Sequence, residues 1–224
     1  TLAQWQTALR AVTYSNSSDN PSTLARTISY VVNDGSANST AVTNIVNVTA
    51  VNDAPTLALT PVNKTFTEGT GSTQGADVTG IFTSATVTDL ENDSIVGMTL
   101  TVSNVLDGSN EVLLFNNVFR TIPLATDVPT QTSLGTGVNS WSYTQTWNST
   151  TKVSTIYLTK QGTAVDLPTA KTIIESFGYR NTNIDNPTPG TRVVSLTQII
   201  DTGSGTSPNT NTTNYSTFNA NVVV

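Results

Sequence analysis

The feature that most constrains this fold is an internal repeat. The segment "LAQWQTALRAVTYSNSSDNP" (residues 2–21) matches "LPTAKTIIESFGYRNTNIDNP" (residues 167–187), about 165 residues further along the chain. After a one-residue insertion the match continues through Arg26 and Arg192 into a strand-like segment. Self-similarity at a fixed period indicates tandem modules that are built alike.

The repeat predicts two domains of unequal completeness. Residues 1–52 correspond to the C-terminal half of one repeat, and residues 53–224 correspond to the following, nearly complete repeat. A half-repeat of about 50 residues cannot bury the apolar faces of its own strands. We therefore expect one of two partners to cover it. One is the preceding part of a longer polypeptide; the other is a neighbouring copy that donates strands in an end-to-end filament.

Each matched segment opens with the helical spacing of apolar residues that is absent elsewhere. This predicts one short helix near Thr1 and another near residues 167–177. The remaining segments alternate apolar and polar residues between turn signals, which indicates an all-β sandwich. The residues expected in the core are Leu9, Val12, Ile28, Tyr30, Leu100, Val102, Ile156, Leu158, Ile174 and Val194.

The composition disfavours several classes of function. Charged residues make up only 11% of the 224 residues and the net charge is −6, so we expect neither a nucleic-acid partner nor an anionic membrane surface. No apolar run approaches the roughly 20 residues of a membrane-spanning helix. The chain lacks Cys and His, and it carries no nucleophile or phosphate-loop motif. We therefore expect that it is not an enzyme.

Four stretches together resemble a known family. They are "VNDAP" at the domain boundary, "FTEGTGS", "ATVTDLENDSIVGMTLTVS" and "TYSNSSDNP". They are similar to the cadherin-like tandem repeats of large bacterial RTX-type adhesins and calcium-binding surface exoproteins. The resemblance implies a cadherin- or immunoglobulin-like β-sandwich with one short helix per repeat. It also implies a secreted protein at the cell surface, whose repeats are strung end to end.

The acidic residues near the "VNDAP" boundary are candidate ligands for Ca²⁺, which prefers six to eight hard oxygen ligands. The candidates are Asn52, Asp53, Glu68, Asp89, Glu91 and Asp93. The resemblance assigns Glu68 to the early Glu of a cadherin site, the Asp89 and Glu91 pair to its acidic motif, and Asn52 with Asp53 to its linker. The alternative is that these residues form ordinary polar turns, with Asp53 capping the crossover through its side chain.

Two further groups leave alternatives open. The recurring Asp-Asn-Pro triplets, with Asp34 and Asp201 one strand later, are explained by turn chemistry without a ligand. Trp141, Tyr143 and Trp147 alternate along one strand and so share a face. That face is either a wall of the core or an exposed stripe for surface glycans, peptides or self-association. The sequence thus favours a structural adhesin module, with a carbohydrate- or peptide-binding module as the alternative.

Overall fold

The computed structural model describes residues 1–115, 120–134 and 140–224. The backbone divides into two units, Thr1–Val51 and Asn52–Val224, and each is described by itself. Within the described residues the regular structure of the second unit is mainly β-strand with one short α-helix, and the first unit has one short helix and two strands. The predicted all-β class is thereby confirmed.

The first unit is a helix followed by a two-stranded ladder. Its elements are α1 (Leu2–Arg10), β1 (Arg26–Tyr30) and β2 (Val42–Val46), and the two strands are antiparallel. Thr1 and Gln4 form a capping box, in which the Thr1 hydroxyl accepts the Gln4 N–H at 3.4 Å and Gln4 Oε1 accepts from the Thr1 amino group at 2.8 Å. This reciprocal pair satisfies donors that the first turn of a helix leaves free. The helix predicted near Thr1 is confirmed.

The apolar side chains of the first unit are largely uncovered. Leu9 is 38% exposed and Val12 is 50% exposed, so the prediction that they are buried is wrong. Ile28 and Tyr30 are only half-buried. The physical reason is that a nine-residue helix and one pair of strands are too small to bury these side chains, which need a further packed layer.

The second unit contains one α-helix, α2 (Leu167–Glu175), and a short 3₁₀ turn at Gly108–Asn110. Its strands in the described residues are β3 (Thr56–Pro61), β4 (Lys64–Thr65), β5 (Phe82–Thr88), β6 (Ile95–Ser103), β7 (Glu111–Phe115), β8 (Arg120–Pro123), β9 (Val128–Leu134), β10 (Trp141–Asn148), β11 (Val153–Lys160), β12 (Gly178–Asn181), β13 (Thr191–Asp201), β14 (Thr212–Asn214) and β15 (Asn219–Val223).

These strands form three sheets. The largest has the order β4-β15-β13-β6-β11-β10-β9, with β14 also paired to β13. A three-stranded sheet has the order β12-β7-β8, and β3 pairs with β5. The pairs are antiparallel except for β15 with β4. The apolar face of each sheet is buried only where another element packs against it.

One contiguous cluster of buried side chains joins the sheets of the second unit. Phe115 of β7 and Trp141 of β10 meet edge to face with ring centroids 5.9 Å apart, so the three-stranded sheet faces the largest one. Six residues expected in the core are buried, namely Leu100, Val102, Ile156, Leu158, Ile174 and Val194. Two facing sheets around a shared core are consistent with a β-sandwich.

The helix α2 lies where its spacing predicts. Asp166 caps it by accepting the N–H of Thr169 at 2.8 Å, and Pro168 occupies its first turn, where a missing N–H is harmless. Ile173 and Ile174 are buried, and the helix packs against β5. Neither α1 nor α2, the helices of the described residues, has the length and apolarity needed to cross a membrane.

A buried ion pair connects the largest sheet to the three-stranded one. Arg192 of β13 donates through Nε and Nη2 to the two oxygens of Glu111 of β7, at 3.0 and 2.8 Å. The Tyr179 hydroxyl of β12 donates to Glu111 at 2.9 Å, and Asp107 accepts from Arg192 Nη2 at 3.2 Å. The side chains of Arg192 and Glu111 are completely buried, so each charge depends on its partners for solvation.

The pKa values of this network follow from those contacts. Burial alone would lower the pKa of Arg192, but the hydrogen bonds and the charge of Glu111 outweigh it and raise that pKa. Burial would raise the pKa of Asp107, but hydrogen bonds, first of all from Thr188, hold it below its usual value. Burial and the Glu111 charge raise the pKa of Tyr179. Arg192 and Asp107 therefore stay charged at neutral pH, while Tyr179 keeps its proton.

Replacing Glu111 should destabilise the second unit much more than replacing a carboxylate of a surface pair. We expect Glu111→Gln to lower the free energy of unfolding by about 3 kcal/mol, because Arg192 loses its main buried partner. The matched control is Asp77→Asn, which breaks the half-exposed pair with Arg180 and should cost less than about 1 kcal/mol. Urea unfolding measures both, and equal losses would contradict the assigned role of Glu111.

Candidate cation site at the start of the second unit

An acidic loop, residues 89–94, connects β5 to β6. Asp89 Oδ1 accepts the N–H of Asp93 at 2.7 Å, which closes the loop on itself. Asn92 adopts a positive φ of 62°, a conformation that Asn tolerates better than most residues. The Thr202 N–H donates to the last carbonyl of the loop at 2.9 Å. These contacts place the acidic loop beside the end of β13.

Hydrogen bonds from Asn52 connect the start of the second unit to the segment that follows β13. Its N–H donates to Asn209 Oδ1 at 2.7 Å, and its Nδ2 donates to the carbonyl of Thr210 at 2.5 Å and, at 3.5 Å, to Asp201 Oδ1. Its amide also lies over Gly203, where an added Cβ would be only 1.9 Å from Asn52 Oδ1. The buried Asn52 is thus a structural anchor whose amide serves mainly as a donor.

Three carboxylates of this region each have one oxygen that is buried and accepts no hydrogen bond: Asp89 Oδ2, Glu91 Oε1 and Asp201 Oδ2. The second oxygen of Glu91 accepts the Asp53 N–H at 3.2 Å, and that of Asp201 accepts the Gly203 N–H at 2.6 Å. A buried acceptor without a partner costs roughly 1–3 kcal/mol, and more when it is charged. This end of the unit therefore carries a concentrated electrostatic cost.

Asp201 shows that cost most clearly. Its side chain is almost fully buried, at 1% exposure. Burial above all, together with the negative charges of Asp89 and Asp93, raises the pKa of Asp201 to about 6 against the hydrogen bond from Gly203. A nearby positive charge would reverse this, because an opposite charge favours the ionised form.

The structure places the predicted ligands unequally. Asp89, Glu91 and Asp93 gather near Asn52. The residue Asp53 is exposed; its N–H donates to Glu91 and its carbonyl accepts from Asn52 Nδ2. The sixth predicted ligand lies elsewhere.

Glu68 does not join this cluster, and its assignment to the same site is wrong. It follows β4, which pairs with the end of β15 that lies beside Thr191. Asp201 is at the opposite end of β13, about ten residues or roughly 33 Å away along an extended strand. Three residues beyond β4 cannot span that distance.

The sequence analysis missed Asp201 as a member of the cluster because turn chemistry already explained it. That explanation is confirmed for Asp34, whose Oδ1 accepts the N–H groups of Ser36 and Ala37 at 2.9 and 3.0 Å. Asp201 makes the corresponding bond to Gly203. Local sequence does not separate the two residues; they differ because the carboxylate of Asp201 is buried at the end of β13.

The donor chemistry of the cluster fits a hard divalent cation. Carboxylate oxygens without hydrogen-bond partners are the ligands that Ca²⁺ prefers. As the side chains stand, no group of three or more acidic residues among those described is arranged to hold a metal ion. Side-chain rotation of Asp89, Glu91 and Asp201 would be needed to bring their free oxygens onto one ion.

The aromatic stripe belongs mainly to the core. Trp141 is fully buried and Tyr143 is 9% exposed, while Trp147 is partly buried against the same cluster. The shared face predicted from alternation is confirmed, and for Trp141 and Tyr143 the exposed-stripe alternative is wrong. Trp147 alone borders a groove of about 530 Å³, together with Thr146, Asn148, Thr151, Val153 and Thr155.

Comparison with known proteins does not identify a relative. No family model matches the chain, and neither a curated protein nor a solved structure matches it. Its function must therefore be inferred from its own residues.

The pH dependence of stability should reveal Asp201. Since its folded pKa of about 6 lies above the usual 3.8, the folded state holds this proton more tightly. The resulting stability is fully present below about pH 4 and is lost as the pH rises through about 6. In metal-free buffer the loss should reach about 3 kcal/mol, and Asp201→Asn should remove it.

The measurement is urea unfolding in EDTA from about pH 4 to 7, and the difference between the wild-type and Asp201→Asn profiles isolates this one group. Asp34→Asn changes the exposed counterpart of Asp201, so the free energy of unfolding of this variant should still fall between about pH 4 and 7. If the free energies of unfolding of the wild type and of Asp201→Asn change with pH in the same way, Asp201 is not a carboxylate with a raised pKa.

Proposed function

We propose that this chain is a structural module of a secreted bacterial surface protein, an adhesin or surface filament. In this proposal cadherin-like β-sandwich repeats lie end to end, and Ca²⁺ binds where the chain enters the second unit. The role is mechanical and not enzymatic. The observation that carries the proposal is the set of three buried carboxylate oxygens, on Asp89, Glu91 and Asp201, that accept no hydrogen bond.

The repetition of local structure supports the tandem arrangement. In both units a short capped helix precedes a strand that begins with, or near, an arginine. Arg26 pairs with Val46 across the ladder of the first unit, and Arg192 pairs with Val222 across that of the second. The same helix, strand and antiparallel partner therefore recur in the same register, as modules of one repeat would require.

The acidic cluster supports the cation. Asp89, Glu91 and Asp201 would hold Ca²⁺, and Asp53 and Asp93 lie close enough in the chain to add ligands. When bound, the ion supplies positive charge that satisfies the free carboxylate oxygens. The residues themselves fix the acidic loop to the end of β13 and to the Asn52 anchor. Ca²⁺ would thus stiffen the start of the second unit, because binding favours the folded arrangement of all three.

Calcium should stabilise the native chain. At a hundredfold excess over the dissociation constant, we expect about 3 kcal/mol of added stability, seen as a higher melting temperature in Ca²⁺ than in EDTA. Glu91→Gln should remove most of this difference, because it neutralises a ligand that also accepts the Asp53 N–H. Glu68→Gln is the matched control and should keep the full response. An identical melting curve in Ca²⁺ and EDTA would mean that these acidic residues form turns and do not bind Ca²⁺.

The second candidate function is a carbohydrate- or peptide-binding module, and the groove beside Trp147 favours it. A partly exposed indole among Thr and Asn side chains offers an apolar surface for a sugar ring with hydrogen-bonding groups around it. A glycan array probed with the wild type and with Trp147→Ala separates the two functions. Binding that Trp147→Ala abolishes supports a lectin-like role, whereas a pure spacer binds nothing.

A further inference from the structure

The first unit exposes side chains whose counterparts in the second unit are buried. Leu9 and Val12 are 38% and 50% exposed, whereas Ile174 and Phe177, at the matching positions, are completely buried. In the second unit the covering layer comes from residues that precede α2. Phe177, for example, contacts the ring of Phe115 at a centroid distance of 5.5 Å. The second unit thereby indicates what kind of segment fits the uncovered face.

That covering segment is held in the second unit by a receptor for two carboxylates. Arg192 and Tyr179 donate to Glu111, as described above, and Asn181 Nδ2 donates to Asp107 Oδ2 at 2.5 Å. Asp107 and Glu111 are four positions apart and lead directly into β7. Arg192, Tyr179 and Asn181 thus bind a short acidic motif, Asp-x-x-x-Glu, that is followed by an apolar strand.

The first unit carries the same three donors at the matching positions: Tyr14, Asn16 and Arg26. Asn16 follows Tyr14 by two residues, as Asn181 follows Tyr179, and Asn16 Nδ2 already contacts the Tyr14 hydroxyl at 3.3 Å. Among the ion pairs of the described residues, none involves Arg26. Its positive charge therefore lacks the carboxylate partner that Arg192 has.

Arg26 donates to backbone carbonyls at the same relative positions as Arg192, although it uses Nη1 and Nη2 where Arg192 uses Nη1 for both. Arg192 donates to the carbonyls two and four residues before it, at 3.1 and 2.8 Å. Arg26 donates to the carbonyls of Leu24 and Ser22, also two and four residues before it. These local bonds hold the guanidinium against its own loop before any partner is present. Such preorganisation lowers the entropy cost of binding a carboxylate.

We propose that Tyr14, Asn16 and Arg26, with the exposed apolar face of α1, form a binding site for the first-half segment of a repeat. The occupant is a stretch of the kind of residues 53–165, whose Asp-x-x-x-Glu motif pairs with Arg26 and whose following strand covers Leu9 and Val12. The inference rests on the proposed tandem arrangement, but it is independent of calcium.

The test extends the native chain by a second copy of residues 53–165 placed before Thr1. Because Thr1 matches Asp166, this junction reproduces the natural connection into the helix. Hydrogen exchange followed by mass spectrometry reads the peptides of residues 1–51, which occur once in the extended chain. We expect the amides of β1 and β2 to exchange about a hundredfold more slowly in the extended chain than in the native one.

Two variants of the extended chain test the carboxylate receptor itself. In the first, the grafted copy carries Asp107→Asn and Glu111→Gln; in the second, Arg26→Met replaces the receptor arginine. Each should lose most of the added protection, by about a hundredfold, because it removes one side of a buried ion pair. In the native chain Arg26→Met removes only the exposed bonds to the carbonyls of Leu24 and Ser22, so the exchange of β1 and β2 should change far less there than in the extended chain.

Two results would overturn the proposal. One is unchanged exchange of residues 1–51 in the extended chain while residues 167–224 stay protected, since the same grafted sequence folds in the second unit. The other is full protection in both charge variants, which would leave an apolar contact without a carboxylate receptor. Running every chain in both Ca²⁺ and EDTA separates this test from the calcium proposal, whose failure appears only in the native melting curve.

Discussion

The architecture of the second unit depends on the buried pair between Arg192 and Glu111. Each residue belongs to a different sheet, so the pair fixes how the two layers face each other. Removing two charges from water costs several kcal/mol per ion, and the pair is tolerated only because its hydrogen bonds are nearly complete. Tyr179 and Asp107 supply the remaining bonds. A fully satisfied polar network of this kind specifies one arrangement of the layers, where apolar packing alone would accept several.

The strand β13 has opposite electrostatics at its two ends. Near its start, Arg192 donates through Nε and Nη2 to the carboxylates of Glu111 and Asp107. At its end, the buried Asp201 lies near the negative charges of Asp89 and Asp93, which raise its pKa. The net charge of −6 is therefore not spread evenly, and part of it is concentrated where burial makes it costly. The divalent cation that we propose for this site would offset that cost, because an opposite charge favours the ionised carboxylates.

Local patterns in the sequence predicted most of the secondary structure, because the causes of that structure are local. Helical spacing located α1 and α2, and alternation located core strands such as those of Leu100 and Ile156. The errors concern contacts between distant segments. Periodicity cannot reveal that Leu9 lacks a covering layer, or that Glu68 lies at the wrong end of β13. Asp201 was missed for the same reason, since only the packing of the acidic loop against β13 makes its carboxylate exceptional.

The first unit has the local structure of a repeat without the contacts between distant segments that accompany it in the second unit. It forms its helix, its ladder and the curled pose of Arg26 without the layer that buries their counterparts in the second unit. The bonds of its capping box, of the turn at Asp34 and of Arg26 each join residues that are only a few positions apart in the sequence. Short-range interactions are therefore enough to set this geometry. The apolar and charge contacts that would stabilise it are long-range, and in the second unit they all come from the preceding half. The first unit is thus formed but uncovered, and in our proposal its donors and apolar face bind the first-half segment of a repeat.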